Sequence, residues 1–172
     1  MGGMVALQIA LDHPDFVHRL VLVDSFPYSP DPLKGVIRSW IDQVKEIGYA
    51  KVMETFNDDN PSLFSKEYMQ NRPNFIDSDN EDVLNNLMPA ESFIGACQAI
   101  LNFDIREKLK MIRVPTLLIT SNEGLGFDTA KLMKREMPYA EIWVPEGYGH
   151  LINIEAPEIF NNKLYAFLTE ED

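Results

Sequence analysis

Apolar residues recur at two different periods along the chain, and each change of period marks a new element. Met4, Leu7, Ala10 and Leu11 follow helical spacing, and Pro14 disfavours a helical residue before it, which predicts a helix over residues 3–12. The segment HRLVLVDS at 18–25 is a short apolar run that ends in polar residues. Such a run is typical of a strand covered on both faces.

The same alternation returns in the last third of the chain. VPTLLIT at 114–120 and AEIWVPE at 140–146 have the pattern of buried strands, and FDTAKLMKREM at 127–137 between them has that of a helix. A closing helix is predicted over APEIFNNKLYAFL, with Pro157 near its first position. Strands that alternate with helices at this spacing predict a parallel α/β sheet, here with three strands.

The middle of the chain has a different pattern, with prolines and helical periods but no strands. Three prolines interrupt it at 27, 30 and 32, and no strand pattern follows before residue 113. We therefore assign residues 1–25 and 113–172 to an α/β core and residues 26–112 to an all-helical insertion. Amphipathic helical patterns within the insertion cover residues 33–47, 49–56, 65–71, 79–87 and 90–101.

Composition narrows the classes of partner. The 172 residues are 45% apolar, enough for one compact domain or a part of one. Twenty-seven acidic against fifteen basic residues give a net charge of -12, which disfavours nucleic acid and anionic membranes as partners. Cys97 is the single cysteine, no Cys/His spacing resembles a metal site, and no apolar run reaches the roughly 20 residues of a membrane span. We expect a soluble, cytoplasmic protein that binds no cofactor or metal.

One histidine stands out by its context. His150 ends the turn GYGH after the third predicted strand, and doubly wound sheets keep ligands and catalytic groups beyond the carboxyl ends of their strands. Two glycines allow a tight turn there, and the next segment returns at once to a helix. This arrangement predicts an imidazole presented rigidly at the edge of the sheet.

Three segments together resemble the α/β-hydrolase superfamily, in its branch of lid-bearing esterases and enol-lactonases. They are MGGMVALQIALDHPDFVHRLVLVDS, RVPTLLIT and PEGYGHLINIEAPEIFNNKLYAFL. The resemblance implies a partial α/β-hydrolase fold with a helical lid and a Ser-His-acid triad in which His150 is the base. In this family the motif Gly-x-Ser-x-Gly carries the nucleophile. Met1-Gly2-Gly3 matches its common form Ser-Met-Gly-Gly from the position after the serine.

The resemblance also implies positions for the nucleophile, the oxyanion-hole donor and the acid of the triad. It places the nucleophile directly before Met1, so that the chain alone is expected to be inactive, and it gives Met1 the oxyanion-hole position. The acid of the triad is expected on the loop after VPTLLIT, where Glu123 lies nearest. Asp128 and Asp24 are the alternatives, because Asp128 follows on the same segment and some relatives place their acid after the strand that Asp24 ends.

The resemblance implies hydrolysis of carbonyl esters or lactones, with a small apolar ester-like substrate. Two alternatives remain open: a non-catalytic module that binds a small ligand, or a half that associates with another chain. Since the first strand would lack a neighbour on one side, self-association through that exposed sheet edge is also expected. Ser25 and Ser121 end strands but lack flanking glycines, so we interpret both as turn residues and not as nucleophiles.

Overall fold

The computed structural model describes residues 1–53, 63–71, 88–122 and 126–170. Contacts divide the chain into two units, Met1–Pro27 together with Asp104–Asp172, and Tyr28–Phe103. Residues 104–112, which the sequence analysis assigned to the helical insertion, lie in the first unit. There the Ile105 N–H donates to the Pro27 carbonyl at 2.9 Å, so the chain is tied together where it leaves and re-enters this unit.

The first unit is built on a parallel sheet. Its strands β1, β2 and β3 span Leu20–Val23, Thr116–Ile119 and Ala140–Trp143, in the spatial order β1-β2-β3. Both pairings are parallel, and the register aligns Leu22 with Leu118 and Leu118 with Ile142. Every residue of the central strand β2 is buried, as expected for a strand with neighbours at both edges and side chains packed on both faces. The prediction of three parallel strands with flanking helices is confirmed.

Helices account for most of the rest of the described chain. None of them, within these ranges, is long and apolar enough to cross a bilayer. Residues 49–53 are also helical, and Pro14–Phe16 and Arg106–Met111 form short 3₁₀ helices. The helices are, in chain order, α1 Gly2–Asp12, α2 Asp31–Ile47, α3 Lys66–Asn71, α4 Ala90–Asn102, α5 Phe127–Glu136, α6 Ile152–Glu155 and α7 Pro157–Thr169.

One face of the sheet is covered by the closing helices. Ile152 of α6 and Phe167 of α7 form a buried cluster with Leu117 and Ile119 of the central strand. These two strand residues are two positions apart and therefore point to the same face. The carboxyl-terminal helices thus bury the face that Leu117 and Ile119 share, and they hold down the loop that precedes them.

The first turn of α1 lies unusually close to the end of β1. A Cβ atom on Gly3 would lie 1.9 Å from Ser25 Oγ, 2.5 Å from Ser25 Cβ and 3.6 Å from Leu22 Cδ2. A Cβ on the preceding Gly2 would meet nothing within 4 Å. Only glycine therefore fits at position 3, and this is what lets the helix start rest on the residue that follows Asp24.

The second unit is helical over its described residues. In α2 the buried side chains Leu33, Ile37, Ile41 and Val44 recur at helical spacing, and Gly48 ends the helix with a φ of 86°. Helix α2 packs against α4, and the ring of Tyr49, in the helical segment 49–53, lies 4.7 Å from that of Phe93 in α4. The predicted helix at 79–87 and the end of the one at 49–56 fall outside the described residues.

Candidate active site

The carboxyl ends of the three strands bring polar residues to one edge of the sheet. Asp24 follows β1, Thr120 follows β2, and the turn that ends in His150 follows β3. Because the strands are parallel, their carboxyl ends meet at the same edge, which is the usual place for a site in an open α/β sheet. Residues that are 96 and 126 positions apart in the chain become neighbours in this way.

Asp24 is the centre of this group. Its φ of 40° lies in the left-handed region, which aspartate and asparagine tolerate better than most residues with a side chain. Its backbone N–H donates to the Ile119 carbonyl at 2.8 Å, which continues the ladder between β1 and β2. The carboxylate is buried and therefore needs partners for both oxygens.

Two side chains provide those partners. Thr120 Oγ1 donates to Asp24 Oδ1 at 2.6 Å, and both side chains are buried. Asp24 Oδ2 lies 3.3 Å from His150 Nδ1, slightly longer than a typical N–H···O hydrogen bond. The carboxylate is therefore shared between a hydroxyl and an imidazole, one on each oxygen.

His150 combines this buried contact with access to solvent. Its side chain is 41% exposed, whereas that of Asp24 is 3% exposed. A neutral imidazole that carries its proton on Nδ1, the nitrogen next to the carboxylate, keeps a lone pair on Nε2. A histidine that is fixed through one nitrogen and basic at the other can act as a general base.

The loop before His150 is held by a second carboxylate. Gly147 takes a φ of 82°, as the tight turn requires, and the Gly149 N–H donates to Glu155 Oε1 at 2.7 Å. Glu155 is the last residue of α6, which begins two residues after His150. The sequence predicted a helix directly after this turn, but it did not show that Glu155 bonds to the loop itself.

The three acids proposed from the sequence lie in different surroundings. Asp24 contacts His150 through its Oδ2. Asp128 stands in the first turn of α5, where its side chain is 88% exposed and pairs with Lys131 Nζ at 2.6 Å. Glu123 lies outside the described residues.

Met1 is at the amino end of α1, whose dipole favours negative charge there. Its carbonyl accepts from the N–H groups of Met4 and Val5 at 2.9 and 3.2 Å, and burial lowers the pKa of its amine. Ser25, which packs under Gly3, donates its hydroxyl to the Val23 carbonyl at 3.1 Å. That local bond is typical of a turn residue.

Sequence reasoning missed two residues of this group. Thr120 was included only as the last letter of a strand, although a hydroxyl at the carboxyl end of a buried strand is a signal for a polar contact. Gly126 was not singled out, and a Cβ there would lie 3.0 Å from Asp24 Oδ1. Among the residues that the structure describes, no group of three or more His, Cys, Asp or Glu side chains could hold a metal ion.

Comparison with known proteins gives concordant results. Curated relatives from several bacteria carry the name "Putative carbamate hydrolase RutD". The one from Yersinia enterocolitica is 24% identical over 174 residues, which cover 98% of this chain and 60% of the relative. The one from Caulobacter is 26% identical over 176 residues, which cover 99% of this chain and 63% of the relative. The chain therefore spans less than two thirds of the length of these proteins.

Solved structures share the fold. MGS-M2, an alpha/beta hydrolase enzyme from a Medee basin deep-sea metagenome library, matches with a TM-score of 0.85 and 19% identity, covering 99% of this chain and 63% of its own. The enol-lactonase from Burkholderia xenovorans LB400 matches with a TM-score of 0.80 and 22% identity over the same shares. The sequence model of the alpha/beta hydrolase family matches residues 1–163. This match covers nearly the whole chain, and the chain belongs to the alpha/beta hydrolase family.

Proposed function

We propose that these 172 residues supply the base and the acid of a Ser-His-acid hydrolase that acts on esters, lactones or related carbonyl compounds. His150 is the base and Asp24 the acid. The observation that carries the proposal is the 3.3 Å contact between His150 Nδ1 and the buried Asp24 carboxylate, at the carboxyl edge of the sheet. The names of the relatives, a carbamate hydrolase and an enol-lactonase, support a carbonyl carbon as the point of attack.

In the proposed reaction His150 Nε2 takes the proton of a serine hydroxyl while the serine oxygen attacks the substrate carbonyl. The negative charge of Asp24 stabilises the imidazolium that forms. His150 then gives the proton to the leaving group, and a water molecule releases the acyl group by the same steps. The backbone N–H of residue 1, at the start of α1, is our candidate for an oxyanion donor.

The nucleophile is the part that we place outside these residues. Ser25 bonds to its own strand and carries no flanking glycines, and Met1-Gly2-Gly3 matches the family motif from the position after its serine. We therefore propose that the serine directly precedes Met1 in the functional enzyme, and that the 172 residues alone hydrolyse esters no faster than background. An in-frame serine codon before that of Met1 would support this placement, and any other codon there would contradict it.

A matched pair of extended chains tests the proposal. One carries an amino-terminal strand that ends in Gly-His-Ser before Met1, and its control ends in Gly-His-Ala. We expect the first to hydrolyse p-nitrophenyl acetate about 10⁶-fold faster than the second, as the loss of a nucleophile predicts. Equal rates in the two chains would contradict the proposal and favour the non-catalytic alternative. Rapid hydrolysis by the 172 residues alone would contradict the placement of the nucleophile outside them.

Variants of the serine-bearing chain separate the three acids. Asp24→Asn keeps the shape of the side chain and tolerates the left-handed backbone, and we expect it to lower kcat by about 10⁴-fold. Asp128→Asn removes an exposed carboxylate and serves as the matched control with unchanged kcat. If Glu123→Gln abolishes activity while Asp24→Asn retains it, the acid is Glu123 and the assignment of Asp24 is wrong.

A further inference from the structure

The Asp24 carboxylate has a fixed orientation, and the residues that fix it are not part of the proposed reaction. A carboxylate rotates easily about its last bond, so its two oxygens are interchangeable unless something distinguishes them. Thr120 does so, because its hydroxyl lies 2.6 Å from Oδ1. With Oδ1 engaged, the other oxygen is the one that faces His150 Nδ1 at 3.3 Å.

The direction of the Thr120 bond follows from the chemistry of its partners. The hydroxyl has one proton and two acceptors in range, Asp24 Oδ1 at 2.6 Å and the Ser121 carbonyl at 3.4 Å. An ionised carboxylate can only accept, and hydrogen bonds to it are shorter and stronger than those between neutral groups. Thr120 therefore donates to Asp24, across the ends of β1 and β2, in a buried environment.

Gly126 keeps the space that this bond needs. A Cβ at position 126 would lie 3.0 Å from Asp24 Oδ1, 3.4 Å from Thr120 Oγ1 and 3.5 Å from Asp24 Cα. The backbone of Gly126 has a φ of -80°, which any residue adopts. Space next to the carboxylate, and not backbone conformation, is thus the reason for glycine at this position.

We propose that Thr120 and Gly126 are positioning residues, which hold Asp24 Oδ2 against His150 and thereby select the imidazole tautomer with the proton on Nδ1. This inference rests on the proposed function for the identity of the acid. The selected tautomer leaves Nε2 unprotonated, which is the form that a general base requires. Since the selection needs no nucleophile, it is measurable in the 172-residue chain itself.

The experiment is ¹⁵N NMR of the chain labelled in its histidines, at a pH where the rings are neutral. The shifts of the two ring nitrogens give the ratio of the Nδ1–H to the Nε2–H tautomer. His13 and His18 lie outside the site and serve as internal references. We expect Thr120→Val to lower the ratio at His150 about tenfold, the effect of losing one hydrogen bond to a charged group.

Two further variants separate an effect on the tautomer ratio from a loss of folding. Thr120→Ser keeps the donor and should restore a ratio close to that of the wild type. Gly126→Ala keeps both partners but crowds them, and should lower the ratio by an intermediate factor. Circular dichroism of each variant identifies those that remain folded.

The results distinguish this inference from the proposed function. If Asp24→Asn lowers the ratio while Thr120→Val and Gly126→Ala leave it unchanged, the positioning role is wrong and the His150–Asp24 pair stands. If Asp24→Asn also leaves the ratio unchanged, the carboxylate does not act on His150 and both proposals fail. A similar loss in Thr120→Ser and Thr120→Val would show that the hydroxyl is not the cause, which also overturns the inference.

Discussion

The contact between α1 and β1 can be tested by adding a single methyl group. In Gly3→Ala the new Cβ would lie 1.9 Å from Ser25 Oγ and 2.5 Å from Ser25 Cβ. Rotation of the hydroxyl relieves the first contact but not the second, so the helix start or the end of β1 must move. Overpacking of this kind costs about 1–3 kcal/mol. It opposes the gain of up to about 1 kcal/mol from alanine's higher helix propensity.

Gly2→Ala is the matched control. It adds the same methyl group to the same helical turn, with nothing within 4 Å of the new atom. The propensity gain is common to both variants, so the difference between their free energies of unfolding isolates the contact with Ser25. We expect Gly3→Ala to be less stable than Gly2→Ala by about 2 kcal/mol, or about 4–8 °C in melting temperature for a chain of this size.

Urea denaturation followed by circular dichroism measures the difference. A double-mutant cycle with Ser25→Gly, which removes both clashing atoms, should recover most of the loss and give a coupling energy of at least about 1 kcal/mol. Equal stabilities of Gly3→Ala and Gly2→Ala, within about 0.5 kcal/mol, would refute the close packing of α1 on the end of β1.

The His150 loop, the buried thiol and the outer side of α1 give three further expectations. Glu155→Ala removes the acceptor of the Gly149 N–H and should speed hydrogen exchange of that amide about tenfold. Glu155→Gln keeps an acceptor oxygen and should leave the exchange rate unchanged. Equal exchange rates in the two variants would argue against this hydrogen bond. Burial raises the pKa of the Cys97 thiol above its ordinary value of 9.0, so a thiol reagent at pH 8 should react at least about tenfold slower than with the urea-unfolded chain. A reaction as fast as that of the unfolded chain would contradict the burial of Cys97. Because the thiol ionises at lower pH in the unfolded chain, the contribution of Cys97 to the free energy of unfolding should also decline as the pH rises above 9.0. Val5 and Ile9 are 50% and 44% exposed on one side of α1, and within the described residues β1 pairs with β2 alone. We therefore expect light scattering to show self-association, which the double variant Val5→Glu, Ile9→Glu should weaken. A monomer at every protein concentration would contradict this expectation.

The sequence carries much of the fold because the fold depends on local patterns. Three apolar residues in a row identify β2, and helical spacing from Leu33 to Val44 identifies α2. The glycines of GYGH mark the turn that holds His150. These signals lie within a few residues of the feature that they predict, so they can be found without coordinates.

The carboxylate that contacts His150 cannot be identified from the residues near His150 in the sequence. Asp24 contacts His150 across 126 positions of sequence, and that contact depends on the register of the sheet and on the left-handed backbone at Asp24. The resemblance favoured Glu123, because it places the acid on the loop after VPTLLIT and Glu123 lies nearest that position. The contact of Thr120 with Asp24 is hidden for the same reason, because Asp24 follows a different strand.

The turn at Asp24 and Ser25 contacts both the start of α1 and His150, and so links their positions. Ser25 supports the start of α1 through Gly3, and Asp24 supports His150. A displacement of this turn would carry the helix start and the carboxylate in the same direction, so the spacing between the head of α1 and the His150 ring would change less than either position. Tolerance to small distortions is thus built into two adjacent residues.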